Sequence, residues 1–331
     1  MGRATPLAIA MGDPAGVGPE IIAKSWVVRT LRSMPPFAMV GDAGAVARVW
    51  SGPVEEIGDI VDAHAVFDRA LPVLPSGPAV EVVPGVADVA GARAALNALE
   101  CAIDLARSGA ARALVTGPVS KAQLYGIGFN QPGQTEFVAE RCGVAPDDAV
   151  MMLAGPSLRV VPLTAHVPLA AVPSLLSVEL LVTKARTTAA ALRRDFGIAA
   201  PRLAFAGVNP HAGESGAIGR EEIDILEPAI AQLRAEGIDA TGPFAADTLF
   251  HARARKHYDA AMCCYHDQAL VPIKTLHFDE GVNMTLGLPI VRTSPDHGTA
   301  FNLAGGDRAH PGAMIAAIAM AGQAADRRAR A

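Results

Sequence analysis

Short apolar runs recur along the chain, and each one stops at a glycine, a proline or a polar residue. LAIAMG (7–12), FAMVGD (37–42), RALVTGP (112–118), AVMMLAG (149–155), LRVVPLTAH (158–166), PRLAFAGVNPH (201–211) and DAAMCCYHDQ (259–268) have the length and content of buried strands. Between them lie stretches with apolar residues at helical spacing. PEIIAKSWVVRTL follows the first run, VAGARAALNALECAIDLARSG spans 89–109, and further helical patterns fall at 176–195 and 220–235. Strand–helix alternation of this kind dictates an α/β chain whose parallel sheet carries helices on both faces. No long linker and no internal repeat interrupts the pattern. The final ADRRARA reads as a frayed, solvated helix end.

Composition agrees with a well-packed enzyme-sized protein. Over 331 residues, 51% are hydrophobic and 18% charged, which excludes a mainly disordered chain. A net charge of −5 argues against a nucleic-acid partner held through its phosphates. The N-terminal apolar run is broken by Gly12, Asp13 and Pro14, too early for a secretion signal or a membrane span. The four cysteines form no CxxC pair, and adjacent Cys263 and Cys264 read as small core hydrophobes in a reduced, cytoplasmic protein.

Chemistry concentrates where strands end. Three apolar runs end at a histidine: His166, His211 and His266, the last followed by Asp267. In open α/β sheets, ligands bind outside the carboxyl ends of strands. Neutral imidazoles arriving there from three strands, with Asp247 or Asp267, are a donor set for a divalent ion. GDPAGVGPE (12–20) offers tight backbone turns at Gly12, Gly16 and Gly18, then Pro19 and Glu20 at a helix start, where an anion can be received. Its spacing is neither GxGxxG nor a Walker loop. Only five lysines stand against 23 arginines, so Lys274 in the apolar VPIKTL reads as a cation for phosphate or carboxylate, or as a proton-transfer group.

The ordered set GDPAGVGPE, TGPVSK, GQTEF, NPHAGE, ADTLF, YHDQ, GVNMTLGLP and RTSPDHGTAFNLAGG spans nearly the whole chain. As a set it resembles the 4-hydroxythreonine-4-phosphate dehydrogenase family of the pyridoxal-phosphate biosynthetic route. Its first and last members also resemble loops of the wider isocitrate/isopropylmalate dehydrogenase superfamily. The resemblance implies two α/β/α domains around a cleft, not a Rossmann fold. It implies a first domain from 1–128 plus 296–331 and a second from 129–295, the second carrying the dimer interface of a homodimer with shared active sites. It implies a divalent metal (zinc, magnesium, manganese or cobalt) on His166, His211 and His266. Substrate contacts fall on Gln134, Thr135, Lys274, Asn283 and Arg292, and the proton-transfer candidates are Asp247, Asp267 and Lys274. The nucleotide would meet Gly12, Asp13, His297, Gly298, Thr299, Ala300 and Gly305. The implied activity is NAD- or NADP-linked oxidation of 4-phosphooxy-L-threonine, with relatives acting on 4-phosphoerythronate, 4-phospho-D-threonate or aromatic cis-dihydrodiols. Two positions depart from the family pattern. Its usual GHTEF reads GQTEF here, so a histidine becomes Gln134, which hydrogen-bonds but cannot become cationic. Asp307 stands where relatives often carry a basic residue, which favours NAD over NADP.

Overall fold

The structure, a computed structural model, describes residues 4–330. Strands in chain order are β1 (Leu7–Ala10), β2 (Phe37–Gly41), β3 (Val54–Glu56), β4 (Leu71–Pro75), β5 (Leu114–Thr116), β6 (Val150–Gly155), β7 (Leu158–Pro162), β8 (Arg202–Ala206), β9 (Asp239–Phe244), β10 (Ala260–Cys263), β11 (Val282–Leu286) and β12 (Arg292–Pro295). All seven runs expected as strands are strands.

The chain divides into two compact units. The first runs through Gly143 and resumes over Leu288–Asp326; the second holds Val144–Gly287 and the residues from Arg327 onward. The resemblance had placed the crossings at 128/129 and 295/296. The helix Gln134–Arg141 belongs with the first unit because Gln134 and Thr135 at its start bond to Gly117 and Arg292 there.

In the first unit the strand order is β3-β4-β2-β1-β5-β12, and every pair is parallel. β1 and β2 are buried along their whole length, as expected of strands covered on both faces. Helix Val89–Ser108 covers this sheet, burying Ala92, Ala95, Leu99, Ala102, Ile103 and Ala106 along one stripe. Asp88 caps its start by accepting the Gly91 N–H at 2.7 Å, and Gly109 ends it in the left-handed conformation (φ 80°). Leu99 and Ile103 each contribute about 1.5–3 kcal/mol through burial.

In the second unit the order is β11-β6-β7-β10-β8-β9. β7, β10, β8 and β9 run parallel. β6 departs from the expected all-parallel sheet and pairs antiparallel with both β7 and β11. The reason is the link: only Pro156 and Ser157 join β6 to β7, and a parallel return needs a crossover of a dozen or more residues. Cys263 and Cys264 are fully buried, as expected of core hydrophobes.

The C-terminal segment corrects one expectation. Helix Gly312–Arg328 continues through Ala325–Arg328 and does not end frayed in solvent. Arg328 Nε donates to Asp195 Oδ1 at 2.6 Å, and Arg194 Nε donates to the same oxygen at 2.9 Å. Asp195 lies on helix Val178–Phe196 with its side chain 0% exposed. Burial pushes its carboxyl up, but the two guanidiniums outweigh burial and hold it below the usual carboxylate range.

A depressed carboxylate contributes stability above its unfolded pKa and loses it as pH falls through the folded one. Asp195→Asn should therefore lower stability by about 1–3 kcal/mol at neutral pH. The gap between wild type and variant should close below about pH 4, where the carboxylate protonates. Urea midpoints measured across that range check this; a gap independent of pH would refute it.

Candidate functional site

The three histidine-ended strands lie side by side in the second unit, in the order β7-β10-β8. His166 follows β7, His266 begins the helix His266–His277 directly after β10, and His211 lies in a turn after β8. The rings of His166 and His266 stand 5.6 Å apart, centroid to centroid. With Thr164, Tyr265 and Asp267 they line an open pocket of about 360 Å³. Asp267 Oδ1 is 2.8 Å from His266 Nδ1. A proton on that nitrogen leaves Nε2 of His266 with a lone pair for a metal, the usual way a carboxylate orients a ligating imidazole.

His211 is exposed and heads an unusual turn. His211, Ala212, Gly213, Glu214 and Ser215 all have positive φ, between 44° and 78°. Each non-glycine residue held this way costs about 1–2 kcal/mol, so the turn must be held by its surroundings. Buried Glu222 does so: its Oε1 accepts the Asn209 N–H at 2.8 Å and its Oε2 accepts from Asn209 Nδ2 at 2.9 Å. Glu222 opens a π-helical turn, Glu222–Leu226, ahead of helix Glu227–Ala235. His166 also has positive φ (57°). Among the described residues, no set of three histidine, cysteine or acidic side chains is close enough to hold an ion. The structure thus brings His166 and His266 together and leaves the His211 ring outside that pair.

The other candidates of the second unit are spread over it. Asp247 is exposed on the short helix Ala246–Leu249. Lys274 lies on His266–His277, its Nζ 5.8 Å from the Phe278 ring centroid. Asn283 is on β11, and its buried Oδ1 has no hydrogen-bond partner.

The first unit gathers the remaining candidates into two groups. The glycine turn after β1 meets the HGTA segment: Val17 N–H donates to the Thr299 carbonyl at 3.0 Å. Gly12 has φ 79°, and a Cβ there would lie 2.5 Å from the Pro118 carbonyl oxygen. Buried Asp13 Oδ1 accepts the Ala15 N–H at 3.0 Å. Burial above all pushes the Asp13 carboxyl up, Asp88 adds to the rise, and the Ala15 N–H opposes it. His297 and Gly298 are exposed, Ala300 has φ 42° and Gly305 φ 73°. Asp307 does not stand alone: Lys24 Nζ is 3.0 Å from its Oδ1 and 2.8 Å from Glu20 Oε1. Buried Glu20 also accepts the Ala309 N–H, which fixes the start of helix Gly18–Val27 against the segment beyond the HGTA turn.

The second group surrounds Arg292 at the start of β12. Its side chain is 2% exposed; Nη2 donates to Thr116 Oγ1 at 2.8 Å, and Nη1 reaches Thr135 Oγ1 at 3.4 Å. Gln134 Nε2 donates to the Gly117 carbonyl at 3.2 Å, while its buried Oε1 has no hydrogen-bond partner. Burial pulls the Arg292 pKa down to about 10 against the attraction of Glu136, so the guanidinium stays cationic at neutral pH. A buried, fork-shaped cation among hydroxyl and amide groups suits a phosphate or carboxylate. Thr116, Glu222 and Gln268 were not among the expected site residues. Only the polar islands TGPVSK and HDQ hinted at two of them.

Comparisons with known proteins identify the family. The family described as pyridoxal phosphate biosynthetic protein PdxA matches residues 35–321. A 4-hydroxythreonine-4-phosphate dehydrogenase of Zymomonas mobilis is 57% identical over 98% of this chain and 96% of its own. The crystal structure of a 4-hydroxythreonine-4-phosphate dehydrogenase from Klebsiella pneumoniae superposes with a TM-score of 0.87 at 36% identity, covering 97% of this chain and 98% of that one. A terephthalate 1,2-cis-dihydrodiol dehydrogenase from Burkholderia xenovorans is more distant, with a TM-score of 0.67 and 31% identity over 97% and 99% of the two chains. The α/β fold and these relatives make the chain an oxidoreductase. The chain belongs to the PdxA family of pyridoxal phosphate biosynthesis.

The glycine turn yields a stability test. Gly12→Ala should cost at least about 1–2 kcal/mol, from positive φ alone, with the Pro118 contact adding to it. Gly58→Ala, whose Cβ meets nothing within 4 Å, is the control. A lower urea midpoint for the first variant only is expected; equal midpoints would show that the turn relaxes freely.

Proposed function

We propose that the chain catalyses the metal-dependent, NAD(P)-linked oxidation of 4-phosphooxy-L-threonine to 2-amino-3-oxo-4-(phosphooxy)butanoate. That β-keto acid then loses carbon dioxide to give 3-amino-2-oxopropyl phosphate, a precursor of pyridoxal phosphate. The observation that carries the reading is the paired His166 and His266 rings, 5.6 Å apart, at the ends of neighbouring parallel strands. The relatives' names supply the substrate.

His166 and His266, joined by His211 from the next strand, would hold the divalent ion. Such an ion supplies Lewis acidity that makes a hydroxyl easier to deprotonate and steadies negative charge on oxygen. The chain's own groups do the rest. Arg292, with Thr135 and Gln134 beside it, binds the phosphate or carboxylate, and Asn283 offers its unpartnered oxygen to a substrate donor. A base of the chain takes the proton from the hydroxyl oxygen, and the hydride on the carbon bearing that oxygen would go to the nicotinamide where one is bound. Asp267 is engaged in orienting His266, which leaves Asp247 and Lys274 for the proton. The turn holding Gly12 and Asp13, packed on His297–Ala300 and followed by Gly305, receives the nucleotide. Asp307 supplies no cation for a further phosphate and engages Lys24, so NAD is the favoured cofactor. The enzyme works in the cytoplasm as a homodimer. Among the described residues, no helix is long and apolar enough to cross a membrane.

Purified protein supplied with a divalent metal, NAD and 4-phosphooxy-L-threonine should form NADH, and EDTA should stop it. His211→Ala should abolish the metal-dependent rate while leaving the protein folded. Nucleotide-dependent stabilisation without turnover would move the substrate to another hydroxy acid, the departure at Gln134 being the reason.

Arg292→Lys keeps a cation but loses the fork, so KM for the phosphorylated substrate should rise by about tenfold or more, from about 1.5–3 kcal/mol per charged hydrogen bond. An unchanged KM would remove Arg292 from the anion site.

A further inference from the structure

Gln268 is a buried side chain that the reaction does not use. It is 7% exposed, on the first turn of His266–His277. Both ends of its amide are engaged. Oε1 accepts the Cys264 N–H at 2.6 Å, and Nε2 donates to the Gly207 carbonyl at 2.7 Å.

Those two backbone groups lie just beyond the end of a ladder. β10 and β8 are paired from Ala260↔Leu203 to Met262↔Phe205. Cys264 and Gly207 lie two residues further out, and buried backbone groups left without a rung must find other partners. The Gln268 amide supplies the missing rung. It needs a donor and an acceptor on one flexible stem, which restricts the position to an amide side chain. The tie continues sideways. Thr164 Oγ1 donates to the Cys264 carbonyl at 2.8 Å, which joins β7's end to β10's. Glu222 holds Asn209 on the β8 side. Thr164, Cys264 and Asn209 each precede a histidine of the proposed metal site by two residues.

We propose that Gln268 is the positioning residue of the imidazole pair: by tying the end of β10 to that of β8 it fixes the backbone that carries His266, and with it the setting of that ring against His166, and so the metal affinity. This rests on the metal reading given above. Gln268 touches neither substrate nor ion; it acts through the two strand ends.

The test uses the full-length protein, stripped with EDTA and titrated with Co²⁺ by calorimetry and visible absorption. Wild type should bind Co²⁺, and His266→Ala and His211→Ala should lose the absorption. Gln268→Leu removes both arms of the tie. Gln268→Glu keeps an acceptor for Cys264 and loses the donor to Gly207, and it serves if the leucine variant fails to fold. Both should bind Co²⁺ about 10–100-fold more weakly, the usual cost of losing an outer support of a metal site. The metal concentration for half-maximal turnover should rise in parallel, with kcat recovering at saturating metal. Wild-type Co²⁺ affinity in a folded Gln268 variant, whatever its melting temperature, would reduce Gln268 to a rung of the sheet and overturn the proposal while the metal reading stands. Absence of histidine-dependent Co²⁺ binding in wild type would overturn both.

Discussion

A parallel sheet has to stop somewhere, and where it stops its backbone amides run out of partners. In the second unit that problem arises at the adjoining ends of β7, β10 and β8, and side chains solve it: Thr164 on one flank, Gln268 in the middle, Glu222 on the other. A buried amide left unsatisfied costs about 1–3 kcal/mol, so these side chains are held in one arrangement. The histidines that follow inherit that order. His166 and His211 even sit at positive φ, a strain that persists only where neighbours over-determine the backbone.

The first unit solves a different problem, the close approach of backbone to backbone. β1 and β5 leave the sheet side by side, and their following residues press together. A Cβ on Gly18 would lie 2.3 Å from the Met11 carbonyl oxygen, and Gly12 meets Pro118 in the same way. Glycine is what lets the two strand ends converge on the segment that carries Thr299. The same convergence brings Thr116 and Gly117 to Arg292 and Gln134. Turn geometry and the setting of Arg292 are thus consequences of one packing arrangement.

How much of this was legible in the sequence depended on whether the signal was local. Long apolar strands announced themselves, because burial on both faces leaves an unbroken hydrophobic run. β3, of three residues, carries too little pattern, and β4 reads LPVLP with its prolines obscuring it. β12 is the instructive case. RTSP looks like a surface loop, yet all four residues are buried, because Arg292 bonds Thr116 and Thr293 bonds the Ala317 carbonyl. Polar side chains that are satisfied internally defeat any reading by hydropathy. The histidines could be read from their places after strands, and the His266–Asp267 pair from adjacency. Gln268 and Glu222 could not, since their partners lie 61 and 13 positions away along the chain.

The two units also divide the charges by kind. The proposed metal donors of the second unit are imidazoles, which bind an ion through a ring-nitrogen lone pair. The proposed anion site of the first unit needs a charge that survives burial. Desolvation has already drawn Arg292 down to about 10, and it is still cationic at neutral pH. A lysine would bring a more strongly hydrated cation, which is costlier to bury. Its point-like ammonium would also engage Thr116 and Thr135 less well than a planar fork. The scarcity of lysine in this chain, five against 23 arginines, therefore has a counterpart in the structure. Where a cation is half-buried and structural, as at Arg328 against Asp195, or buried in a proposed anion site, as at Arg292, arginine is the residue that keeps its charge.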